Sequence, residues 1–86
     1  MKMLKKVNNS KFQSIADIIR WVERKEDGTI KEIHEDNPQV GFTLIMAPYI
    51  PNATYQTKTI TEIVSKTQTL IHFKTIDSEY KLNYFD

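Results

Sequence analysis

QVGFTLIMAPYIPNATYQTKTITEIVSKTQTLIHFKTIDSEYKLNYF, residues 39–85, is a succession of short extended segments separated by turn formers. Residues 40–47 are mostly apolar, the mark of a largely buried strand. Pro48 and Pro51 then resist ladder pairing, so residues 48–55 make an irregular connection. Residues 57–66 are heavy in Thr, Ile and Val and read as a strand. Ile60 and Ile63 stand three apart, which breaks strict alternation, and a bulge near Thr61 restores the phase. Residues 69–75 alternate cleanly, with Ile71 and Phe73 on one face and Leu70, His72 and Lys74 on the other. A turn around Asp77-Ser78 leads into a closing strand, residues 80–85, on which Tyr80, Leu82 and Tyr84 share a face.

Upstream, residues 35–39 are a polar loop, with Asn37 held extended by the proline that follows. Residues 14–24 read two ways. Ile15, Ile18, Ile19 and Val22 recur at helical spacing, and Ser14 with Asp17 resembles a capping box. Against a helix stand the β-formers Ile18, Ile19, Trp21 and Val22, and the Asp27-Gly28 turn signal, which pairs residues 18–24 with 29–34 as a hairpin. Residues 1–11 carry Lys2, Lys5, Lys6 and Lys11 and no acid, and read as a flexible basic arm. The expected fold is mainly β, or α+β if residues 14–24 are helical. It comprises four or five antiparallel strands in a small sheet or a partly open barrel of SH3 or OB type, within one domain spanning residues 12–86.

Eighty-six residues make one small domain, and 40% apolar with 27% charged residues is an ordinary globular balance. No stretch approaches the roughly 20 apolar residues of a membrane span, and no apolar leader follows the basic N-terminus. With no cysteine, this fits a cytoplasmic protein without disulfides or thiolate metal sites. The Asn52-Ala53-Thr54 sequon then reads as chance. Ten lysines against two arginines, with eleven isoleucines, suggest an AT-rich coding sequence, as in a low-GC bacterium, its phages or mobile elements.

Chemistry finds little to build on. Gly28 and Gly41 are the only glycines, so no phosphate-cradling loop exists. There is no spaced metal-ligand set: His34-Glu35-Asp36 are consecutive, and neighbours on a strand point to opposite faces. No nucleophile motif is present. The expectation is therefore a non-enzymatic protein-binding module without cofactor or metal, a phage or mobile-element inhibitor or regulator of a larger host protein.

Its candidate contact residues are Pro48, Tyr49, Ile50, Pro51 and Tyr55, in a loop whose PxxP spacing suits polyproline II, with Trp21 as a further anchor. The alternative is a small barrel binding single-stranded nucleic acid through aromatics and Lys2, Lys5, Lys6 and Lys11. The strand at residues 80–85, if it lies at a sheet edge, is available for pairing with a second copy as a homodimer. The acidic residues between Glu23 and Asp36 are diluted by Arg24, Lys25 and Lys31 and read as a solvated hairpin.

Overall fold

The computed structural model describes residues 1–85; Asp86, which the sequence reading places in the same domain, lies outside them. The described residues form nine strands: β1 (Lys2–Lys6), β2 (Asn9–Ala16), β3 (Ile19–Arg24), β4 (Ile30–His34), β5 (Phe42–Met46), β6 (Tyr55–Gln56), β7 (Ile60–Lys66), β8 (Leu70–Thr75) and β9 (Glu79–Tyr84). No helix occurs among the described residues, so residues 14–24 resolve as the end of β2, a bend at Asp17 and Ile18, and β3. The strands make two antiparallel sheets, ordered β2-β1-β9-β8-β7 and β4-β3-β5-β6. Neither sheet closes on itself. The barrel option gives way to two sheets packed face to face, with more strands than the four or five expected.

Each strand has a local cause. On β5, Phe42, Leu44 and Met46 join the core, while Thr43 and Ile45 alternate to the opposite face, Thr43 buried there as well. The β3–β4 hairpin closes at residues 25–29, where the Asp27 carboxylate accepts bonds from the Thr29 N–H at 3.0 Å and hydroxyl at 2.6 Å. Gly28 there has φ of +88°, a conformation that L side chains rarely adopt. The irregularity expected near Thr61 is present: the β7–β8 register shifts between Ile60 and Glu62, and again between Ile63 and Ser65.

The arm reading is corrected. β1 pairs with β2 on one side and β9 on the other, and Leu4 is fully buried. The lysines that suggested an arm are exposed (Lys5, Lys11) or half-buried (Lys2, Lys6) on these strands.

The core draws on both sheets. Leu4, Ile71, Phe73, Tyr80 and Leu82 from the first meet Ile19, Trp21, Leu44 and Met46 from the second. Trp21 and Phe73 make an edge-to-face contact across the interface, with ring centroids 5.9 Å apart. A hydrogen bond also ties the layers, Gly41 N–H donating to the Ile60 carbonyl at 2.9 Å, while Leu44 N–H donates to the Thr57 hydroxyl at 3.1 Å within the second sheet, just past β6.

The edge assignment is corrected too. β9 is paired on both sides, so residues 80–85 offer no free edge for a second copy. The true edges are β2, β7, β4 and the two-residue β6. β7 is blunted by its two register shifts, and β4 by a bulge at Lys31 and by its charges.

Candidate functional site

Residues 47–54 wind into successive tight turns rather than an extended segment. Ile50 N–H donates to the Ala47 carbonyl and Ala53 N–H to the Ile50 carbonyl, both at 3.2 Å. The Thr54 hydroxyl bridges the same two carbonyls, at 2.9 Å and 3.1 Å. Polyproline II has no internal hydrogen bonds, so the PxxP expectation is overturned by this bonding.

Two residues of this turn sit in the left-handed region, Asn52 at φ 68°, where asparagine is tolerated, and Ala47 at φ 52°, where a Cβ is strained; Asn37, expected to be extended before its proline, is left-handed too, at φ 67°. Ala47 is buried, and its N–H donates to the Ile18 carbonyl at 3.0 Å, which anchors the turn to the start of β3. The strain is held in place by the surrounding bonds.

The turn presents Tyr49 at 67% exposure and Ile50 at 57%, with Pro51 also exposed and Pro48 half-buried at its base. The Arg20 guanidinium lies 5.7 Å from the Tyr49 ring centre and 3.6 Å from a Glu35 carboxylate oxygen, and it steadies the ring from beneath. Sequence reasoning missed Arg20, because its approach depends on the β3–β5 pairing.

Two expected contact residues leave the set. Trp21 is wholly buried against Phe73, since the sandwich needs a large side chain at its centre. Tyr55 turns inward: its ring centre lies 4.7 Å from that of Phe12 with the planes tilted by 56°, and its hydroxyl bonds that of Tyr80 at 2.7 Å. Burial, reinforced by that bond to Tyr55, raises the Tyr80 pKa well above the ordinary tyrosine value.

The four lysines of the nucleic-acid alternative do not converge. Lys2 bonds the Asp17 carbonyl at 2.6 Å, and Lys6 lies 5.0 Å from the Phe12 ring, so both cap ends of the core. Lys5 faces outward from the same strand, and Lys11 is exposed on β2. Phe73 and Tyr80, which a base-stacking platform would need on its surface, are buried.

His34, Glu35 and Asp36 part company as expected: Glu35 pairs with Arg20, and Asp36 lies 4.0 Å from Lys66. The register instead sets Glu23 opposite Glu32, with His34 two residues further along β4. The His34 Nε2 lies 3.2 Å from Glu23 and 3.8 Å from Glu32, and Lys31 reaches the other Glu23 oxygen at 3.3 Å. The His34 ring stacks on Phe42. His34 and then Lys31 hold the Glu23 carboxyl below its usual pKa against the opposing effect of burial. Lys31 is thus a cationic neighbour of Glu23, and Glu23, Glu32 and His34 hold their potential ligand atoms within 4.8 Å of one another beside the core residue Phe42. Among the described residues no helix is long and apolar enough to cross a membrane.

Comparison with protein-family models, characterised proteins and solved structures returns no match to this chain.

Proposed function

We propose that the protein is a non-enzymatic protein-binding module whose contact anchor is the Tyr49–Ile50 tip of the turn at residues 47–54. One observation carries the reading. Two large apolar side chains are more than half exposed on a segment locked by its own hydrogen bonds. A rigid aromatic anchor loses little entropy on binding, which is what interface hot spots require. The strained Ala47 that starts the turn adds support, since such strain persists where surrounding structure enforces a particular presentation. In a domain this small, such a module acts by occupying a surface of a larger protein, as a regulator or inhibitor.

The test is affinity capture from bacterial lysate with and without nuclease, comparing wild type with Tyr49→Ala and Ile50→Ala. Neither residue contributes to the core, so both variants keep the wild-type circular dichroism. A stoichiometric protein partner survives nuclease and is lost from both variants, each truncation costing about 2 kcal/mol of binding, or roughly thirtyfold. Normal capture by both variants removes the turn from the interface. Capture that vanishes with nuclease replaces this reading with nucleic-acid binding.

A further inference from the structure

The outer face of the five-stranded sheet carries a cluster of apolar side chains among the polar ones expected of a solvated sheet face. On β1 and β9 the odd-numbered residues point away from the core, because Leu4, Tyr80 and Leu82 point into it. The register lines them up in rows. One row runs Ile15–Met3–Asn83–Leu70 across β2, β1, β9 and β8. Phe85 lies on the same face two residues beyond Asn83, held by its N–H bond to the Met1 carbonyl at 2.8 Å. Ile15 and Phe85 are close to half exposed, at 47% and 45%. The next row sets Lys5 directly opposite Lys81. Both are exposed, and neither has an ion-pair partner among the described residues. Like charges facing each other across a ladder destabilise the sheet. An apolar patch bordered by such a pair marks a surface whose occupant brings the opposite charge.

We propose that this face is a second contact surface, independent of the turn at residues 47–54. It takes a partner polypeptide that presents carboxylates beside aliphatic or aromatic side chains. Ile15, Met3, Leu70 and Phe85 receive the hydrophobic side chains, and Lys5 and Lys81 receive the carboxylates. An anionic membrane fits less well. Stable recruitment to one uses about 4–8 clustered basic residues, and the row beyond Lys5 and Lys81 on this face carries Glu79 and Glu62 around Lys74. A second copy of this chain fits poorly because it would set its own lysine pair beside the same apolar row.

The experiment is a heteronuclear NMR titration of the isotope-labelled full chain with a blocked peptide alternating Asp or Glu with Leu, Phe and Ile. Expected are amide shifts concentrated at Met3, Lys5, Ile15, Leu70, Lys81 and Phe85, and no binding by the analogue with lysines in place of the acids. Lys5→Glu supplies a readout that a merely structural role would not give. It turns a repulsive pair into an attractive one, so it raises the urea midpoint while weakening peptide affinity by about tenfold. Lys81→Glu does the same from the neighbouring strand. The proposal is overturned by shifts absent or confined to the turn at residues 47–54. It is equally overturned by equal binding of the lysine analogue, by unchanged affinity in both variants, or by tighter binding to phosphatidylserine vesicles than to the peptide.

Discussion

Leu4 shows how one side chain decides the role of a segment. It is the single fully buried residue between Lys2 and Lys6, and it fixes β1 in the sheet. Leu4→Ala is expected to cost about 2–4 kcal/mol, read as a lower urea midpoint with unchanged slope; a true arm would show no change. Gly28 decides the β3–β4 turn. A Cβ there meets nothing within 4 Å, so the cost of Gly28→Ala is backbone strain alone, about 1 kcal/mol in a denaturant titration. Tyr80 sets an alkaline limit. Its folded pKa is raised above the ordinary 10.0, so its contribution to stability is complete below pH 10.0 and is lost as pH rises toward the folded value. Urea midpoints should therefore fall between neutral pH and pH values above 10.0, and Tyr80→Phe should flatten that fall.

At the level of elements, the turn at residues 47–54 depends on a single hydroxyl. Thr54→Val keeps the shape of the side chain and removes both of its bonds to the turn carbonyls. The expected cost is about 1 kcal/mol of stability, with faster amide exchange at Ile50 and Ala53; unchanged exchange would show that the backbone bonds alone hold the turn. Some elements were legible in the sequence because their causes are local. The alternation of Ile71 and Phe73, the Asp27-Gly28 turn and the phase break near Thr61 each lie within a few residues of the structure they produce. β1 was not legible, since one leucine among lysines has no period. β9 looked like an edge because strand order is set by pairing with β1, more than seventy residues away in sequence. The candidate site divided the same way: Tyr49 and Ile50 were readable as loop residues, whereas the inward turn of Tyr55 needed Phe12 and Tyr80.

For the whole molecule, the two sheets share one core and should unfold together. Phe73→Ala removes the partner of Trp21 across the interface and is expected to cost about 3–5 kcal/mol, much of the roughly 5–15 kcal/mol that stabilises a small domain. Tryptophan fluorescence and the β signal in circular dichroism should then move in one transition; retention of native fluorescence after the β signal is lost would show that the sheets fold separately. The placement of β9 between β1 and β8 also governs the order of events during synthesis. Leu82, from the final strand, completes the buried layer between Leu4 and Ile71. Until the ribosome has released that strand, β1 and β8 each keep an open hydrogen-bonding edge with apolar side chains beside it. Early pairing of those edges with other nascent chains is thus a hazard specific to this topology, relieved once β9 inserts into the gap between β1 and β8.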